Sequence, residues 1–254
     1  MGHWNSRRFK LLFRKQQGRM MKNKKDYLKM QSDHYEGYAE AWSLTYRDPV
    51  VGSYDAHNDW PDYDTYLFKD FDTSGLVALD YGCGPGRNII EFHDRFGRID
   101  GVDIAQTNLD KAKINIEHNG IELPNLYLTP GDSLSMIKDN TYDVFFAVIC
   151  FQHICVHEIR FNILKEAYRI LKPGGKLCFQ MGYGGKVHTE TAGYYDNVYD
   201  AITTNGHADV SITDESELSD DLVNKIGFKN YKSDIRPTGP GDNHRNWIWV
   251  QVEK

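Results

Sequence analysis

The sequence predicts a doubly wound α/β fold, a seven-stranded sheet that is mostly parallel with an antiparallel last strand and carries helices on both faces. Three observations lead there. From residue 76 onward, short apolar runs alternate with amphipathic stretches that stop at Gly or Pro. The run "YDVFFAVICF", residues 142–151, is almost wholly apolar, as a strand covered on both faces requires. The end of the chain, "NWIWVQVEK", alternates apolar with polar residues, a pattern of period two.

The elements follow in order. "LVALDYG" reads as a short buried strand and "NIIEFHDRFG" as a helix ended by Gly97. The strand "IDGVDI", the helix "NLDKAKINIEHNG" with its stop at Gly120, and the strand "NLYLTPGD" come next. After the apolar fourth strand, "VHEIRFNILKEAYRILKPGG" places Ile159, Ile163, Leu164, Ala167 and Ile170 on one helical face and stops at Pro173 and two glycines. "KLCFQMGY" is the fifth strand. A polar and aromatic stretch, residues 184–213, breaks the rhythm before the helix "ESELSDDLVNKIGF" and the strands "KNYKSDIRP" and "NWIWVQVEK".

Composition bounds the reading. With 254 residues, 40% hydrophobic and 26% charged, the chain suits one large domain with its own core. Its longest uncharged apolar run, residues 144–151, is too short to cross a bilayer, and no apolar segment follows the basic N-terminus. A cytoplasmic protein is the expectation. Cys83, Cys150, Cys155 and Cys178 show no framework spacing and read as reduced, buried thiols. Residues 1–29 hold ten Lys or Arg against one acid, so the remaining chain is strongly acidic within a net charge of −6. This basic stretch reads as a flexible extension to a single domain over residues 30–254; its alternative is an amphipathic contact with an anionic membrane surface or nucleic acid.

The glycines of "ALDYGCGPGRNII" bring the backbone close to something. A dinucleotide fingerprint needs G-x-G-x-x-G, whereas Gly82, Gly84 and Gly86 give G-x-G-x-G, with Asp80 at the mouth and Pro85 removing one N–H. An acid there suits an ammonium better than a phosphate. No G-K-[ST] follows, which excludes a P-loop. Further along, Asp103 ends the second strand in "GVDI", Asp132 follows the third in "PGDS", "FQHI" follows the fourth, and "LKPGG" precedes the fifth.

With these companions in this order, the sequence resembles the class I S-adenosylmethionine-dependent methyltransferases, in particular the small-molecule, type 11-like subgroup, whose fold is Rossmann-like. The likeness is close over residues 76–181 and extends to 214–253 by element order. It implies S-adenosylmethionine as cofactor. Asp80, Gly82, Cys83 and Gly84 would line the methionine end, and Arg87, after Gly86, would reach the methionine carboxylate. Asp103 would bind the ribose, Ile104 would pack on the adenine, Asp132 and Ser133 would hold the adenine edge, and Val148 would face the cofactor. The family often has a polar residue near Ala147 or Val148; this chain has none.

The reaction so implied is methyl transfer to an oxygen or nitrogen of a small-molecule acceptor, in which alignment and desolvation carry much of the catalysis. The acceptor should sit beyond the carboxyl ends of the strands. His153 stands where a general base would stand, or else orients its loop. Gln180, Tyr183, Arg236, His244 and Arg245 are candidates for the acceptor pocket. Tyr35, Tyr38 and Trp42 fall on one helical face, and the resemblance implies that residues 30–70 form a lid. Tyr194, Tyr195 and Tyr199 of the 184–213 insertion would meet the acceptor from the other side, and aromatic walls would suit a cationic one. Cys150, His153, Cys155 and His157 match no familiar zinc spacing, so no metal is expected. A nucleic-acid methyltransferase would show Asn/Asp-Pro-Pro-aromatic or Pro-Cys after the fourth strand; "ICFQHI" supplies neither, and no nucleic-acid partner is expected. An RNA or protein methyltransferase served by the basic extension, a non-catalytic cofactor-binding regulator and a nicotinamide dehydrogenase are the alternatives.

Overall fold

The computed structural model describes residues 23–41, 66–201, 209–239 and 242–254. Strands β1 (Val77–Tyr81), β2 (Arg98–Asp103), β3 (Leu126–Leu128), β4 (Tyr142–Ala147) and β5 (Leu171–Tyr183) lie parallel in the order β3-β2-β1-β4-β5. Before them runs α1 (Lys24–Ala41); between them run α2 (Arg87–Phe92), α3 (Gln106–His118) and α4 (His157–Ile170). The chain then forms β6 (Ala192–Gly193), β7 (Val210–Ile212), α5 (Glu215–Ser219, continued as a π-helical segment to Ile226), β8 (Lys229–Pro237) and β9 (Asn246–Glu253). β9 runs antiparallel between β5 and β8, as expected of the last strand.

Period two along the strands divides the core into two layers. Leu79, Tyr81, Phe145, Ala147, Leu177 and Phe179 face one way, against Ile159, Ile163, Leu164 and Ala167 of α4 and Tyr27 and Met30 of α1. Their neighbours Ala78, Val144, Phe146 and Cys178 face the other way, against Ile89 and Phe92 of α2 and Leu109, Ala112 and Ile116 of α3. Both faces of the central strands are therefore dry, which is why they read as unbroken apolar runs.

Five expectations need correction. The sheet has nine strands, because the 184–213 insertion contributes β6 and β7. Gly182 and Tyr183 pair with β9 on one side and with Ser211 and Ile212 of β7 on the other, so β7 continues the sheet beyond the end of β4. β4 stops at Ala147, and Cys150 lies outside it. β5 begins at Leu171, directly after α4, with Pro173 and both glycines inside it. The helix after the glycine loop ends at Phe92, followed by a short 3-10 turn. Finally, α1 starts at Lys24 with Tyr27 fully buried, so the boundary expected at residue 29 falls inside a packed helix. Residues 1–22 and Trp42 lie outside the described residues, as do Pro240 and Gly241.

Candidate active site

A cavity of about 410 Å³ opens at the carboxyl ends of β1, β2 and β4. Its floor is the glycine loop. Gly82, Gly84 and Gly86 all have positive φ, and a side chain at Gly82 would collide with Cys150. A Cβ added at Gly84 would meet nothing within 4 Å among the described residues. That is the place where a ligand can pass against bare backbone.

The N–H groups of this loop answer the question its glycines raise. Gly82 and Cys83 donate to the Val102 carbonyl, Gly84 to Asp103 Oδ2 at 2.9 Å, and Gly86 to the Cys83 carbonyl, while Pro85 has no N–H. Each donor is used within the protein, so the loop offers no cradle for a phosphate. Asp80 behaves differently. It is fully buried, neither carboxylate oxygen meets hydrogen-bond geometry with any described residue, and burial raises its pKa to about 7 against the opposing influence of Asn88 and Arg87. A buried carboxyl in that condition fits a cationic ligand group. Asp103 lines the cavity and accepts from Gly84, Ala105 and Asn108.

The loop after β4 supplies the other wall. Ile149 has φ of 49°, a left-handed conformation that costs a β-branched residue on the order of 1–3 kcal/mol and marks a sharply turned cavity rim. Val148, Ile149, Cys150, Gln152 and His153 all line the cavity, and both amide atoms of buried Gln152 lack a hydrogen-bond partner among the described residues. α1 forms the roof through Tyr27, Leu28, Gln31, His34, Tyr35 and Tyr38. These positions recur every three or four residues, which places them on one helical face.

Several contacts fasten this roof. Gln31 donates to the His153 carbonyl at 3.2 Å, and the Cys155 N–H donates to the Tyr27 hydroxyl at 2.8 Å. Lys24 pairs with Asp132 at 2.5 Å. Glu36 accepts from the N–H groups of Gln106 and Thr107, the first residues of α3, which has no side-chain cap of its own. An anionic group from another helix thus does what an N-cap residue would do.

Farther along the wall, His153 Nδ1 lies 2.8 Å from Asp209 Oδ1, within hydrogen-bond distance. His244 Nε2 lies 3.3 Å from Asp209 Oδ2, within ion-pair reach but out of line for a hydrogen bond. Although burial opposes it, the His153 ring and then His244 hold Asp209 well below the usual carboxylate range. Burial, and secondarily His153, holds His34 below the ordinary histidine range, and burial keeps the Tyr35 phenol far above its own. Burial also raises the Cys83 and Cys150 thiols, so neither is a ready nucleophile.

Of the residues singled out from the sequence, Gly82, Cys83, Gly84, Arg87, Asp103, Ile104, Val148, His153, Tyr35 and Tyr38 come together around this one cavity. Others do not. Asp132 is drawn away by Lys24, Ser133 Oγ accepts from the Ser135 N–H, and Thr129 and Gly131 line the cavity in their place. Gly86 packs against Ala112 of α3. Gln180 and His244 are buried behind the wall, Arg236 stacks on Tyr66, and Tyr183 and exposed Arg245 lie off the lining. Tyr194 is a core residue bonded to Asp221, Tyr195 is exposed, and Tyr199 bonds Glu158. Sequence reasoning missed Asp209, Gln152 and Trp247; an acid just before "VSI" was the available signal for the first. The side chains of His153 and His157 turn to separate acids, Asp209 and Asp221, and the described residues contain no cluster that could hold a metal ion.

Residues 78–175 match the family described as Methyltransferase domain. Over those residues the chain carries a methyltransferase domain of the class I S-adenosylmethionine-dependent kind. Among curated relatives, the methyltransferase domain is 31% identical over 110 residues to mouse thiol S-methyltransferase TMT1B, covering 42% of this chain and 43% of that one. It is 31% identical over 105 residues to sterol 24-C-methyltransferase erg6 of Aspergillus fumigatus, covering 40% and 26%. With phosphoethanolamine N-methyltransferase 2 of Caenorhabditis elegans it shares 28% identity over 168 residues, 66% and 35% of the two chains. The chain thus spans less than half the length of each of these three relatives.

Solved structures give the same fold for this methyltransferase domain. Phosphoethanolamine N-methyltransferase 2 of Haemonchus contortus in complex with S-adenosyl-L-methionine superposes with a TM-score of 0.63 at 16% identity, over 92% of this chain and 60% of that one. A Mesorhizobium loti S-adenosylmethionine-dependent methyltransferase does so with a TM-score of 0.59 at 16% identity, over 80% and 100%. No described helix is long and apolar enough to cross a membrane.

Proposed function

We propose that this protein transfers the methyl group of S-adenosylmethionine to an oxygen or nitrogen of a small-molecule acceptor by in-line displacement, with His153 as general base. One observation carries the reading. His153 shares a cavity with the glycine loop, its Nδ1 is committed to Asp209, and its Nε2 has no partner among the described residues. The cofactor supplies a sulfonium-activated methyl group, so the chain's own work is to align, exclude water and take a proton.

Each task has residues. Asp80, near the end of β1, would meet the methionine ammonium, Arg87 its carboxylate, Asp103 a ribose hydroxyl, and Ile104 with Leu28 the adenine. α1 closes over them and keeps water out. Tyr35, Tyr38 and Trp247 give the acceptor an aromatic enclosure, with Asp242 and Asn243 beside it. Among the described residues that line the cavity, Arg87 is the sole Lys or Arg. This supports a neutral or cationic acceptor over a phosphate-bearing one, since phosphate is normally met by Arg or Lys. The relatives' names span sulfur, carbon and nitrogen acceptors, and so favour none of the three.

Incubation with methyl-labelled cofactor and a fractionated cell extract, followed by mass spectrometry, identifies the acceptor. His153→Gln is expected to lower the rate roughly 10²-fold while cofactor affinity stays unchanged. Equal rates for the variant and the natural protein would remove His153 from the chemistry.

A further inference from the structure

His153 would be of little use as a base if its ring were free to choose which nitrogen carries the proton. The insertion settles that choice. Asp209 stands immediately before β7 and is almost fully buried, with a side chain only 3% exposed. An ionised carboxylate can only accept, so its contact with His153 requires the proton on Nδ1 and leaves the Nε2 lone pair open. The His153 side chain is 18% exposed and lines the cavity, so that nitrogen is within reach of a ligand.

The same carboxylate is held from behind. β7 pairs in parallel with the end of β5, Ser211 beside Gly182. By period two, Asp209 and Ser211 share a face of β7, as Gln180 and Gly182 share a face of β5. A side chain at Gly182 would occupy the space of the His244 ring, so the glycine is what admits His244 against the sheet beside Asp209. Trp247 packs on this imidazole, with ring centroids 4.7 Å apart and planes tilted by 59°. Two imidazoles thus flank one buried carboxylate, and neither is a fixed cation that would neutralise it permanently. Around them stand His34 and Tyr35 from α1, Cys150 from the loop after β4, and Asp242 from the segment before β9.

We propose that Asp209 is the positioning residue of the site: with His244 behind it, it fixes the His153 tautomer and orientation so that Nε2 takes the proton the acceptor loses. The acceptor's lone pair forms the bond to the methyl carbon, the carbon–sulfur bond breaks with its electron pair left on sulfur, and the proton passes to His153 Nε2 while Asp209 stays ionised. The inference rests on the methyltransferase reading but is tested apart from it.

Nitrogen-15 NMR of the full-length protein with S-adenosylmethionine bound, recorded where the imidazole signals no longer move with rising pH, reports the tautomer directly, and His153→Gln assigns the signal. The expected result is Nδ1 protonated and Nε2 bare, converting to a mixture in Asp209→Asn, with unchanged affinity for the cofactor. Once an acceptor is identified, Asp209→Asn should lower kcat roughly 10²-fold with little change in KM, and Asp209→Glu should recover part of the loss. A proton on Nε2 in the natural protein, or an unchanged tautomer in a folded Asp209→Asn protein, overturns the proposal. Neither result bears on whether methyl is transferred, so the failure of this proposal and that of the function are distinguishable.

Discussion

Asp80 and Gly182 show how a single atom's environment decides a residue's part in this site. Asp80 is an acid in a dry place, raised from 3.8 to about 7 mainly by burial. Between about pH 4 and pH 7 the folded, cofactor-free chain therefore keeps a proton that the unfolded chain has released, so stability falls as pH rises through that window. Asp80→Asn should flatten this slope in thermal melts of the cofactor-free protein; a slope identical to that of the natural protein would show the carboxyl to be solvated. At Gly182 a single added methyl meets the His244 imidazole. Gly182→Ala should cost about 1–3 kcal/mol of stability, measured by denaturant unfolding, because neither the β5 backbone nor a ring wedged by Trp247 can yield cheaply. Asp80 and His153 were legible as candidates because each sits at a recognisable place in the strand-loop pattern, and His153 lines the cavity. Asp209 was not, since its partners are 56 and 35 residues away and nothing local marks the pairing.

At the scale of elements, α1 is the part whose role depends most on contacts with others. Its sequence has a buried face built from Tyr27, Met30 and Gln31, yet the helix is weakly amphipathic and gains stability chiefly by docking. Glu36 is one of the fastenings. Although the modest burial of this carboxylate opposes it, hydrogen bonds from Thr107 and Gln106 hold it below the ordinary glutamate range. The stabilisation it gives is present above the unfolded value and is lost as pH falls through the depressed folded one. Glu36→Ala should remove a cap worth about 1 kcal/mol before solvent screening reduces it. Hydrogen exchange should rise across Lys24–Ala41 and at the start of α3, while β1 and β4 stay protected. Uniform protection in the variant would mean that the roof is held by Tyr27 and Gln31 alone. The insertion makes the opposite point: its tyrosines, which suggested a pocket wall, are used to pack and hydrogen-bond against α4 and α5, and the acid beside β7 reaches the cavity instead.

For the whole molecule, the cavity is a seam between α1 and the sheet, so a ligand that fills it ties the two together. S-adenosylmethionine at about 100 times its dissociation constant should therefore raise the unfolding free energy by about 2.7 kcal/mol and move Tm upward. NADH should leave Tm unchanged, because the N–H groups of the glycine loop are already used and cannot receive a pyrophosphate. A shift with NADH and none with S-adenosylmethionine would reverse the cofactor assignment.

The sequence by itself determined the doubly wound sheet and the glycine loop that floors the cavity. Both are written in short-range features: period-two runs buried on both faces, helices with stops, glycines where φ must be positive, and acids at strand ends. Which of the remaining polar residues face the cavity was decided only by tertiary structure. Lys24 draws Asp132 away, Gly182 admits His244, and β7 carries Asp209 to His153, each across a gap in sequence that no local pattern spans. The physical reason is that a backbone pattern fixes which face a side chain leaves from, whereas its partner depends on long-range packing of separate elements.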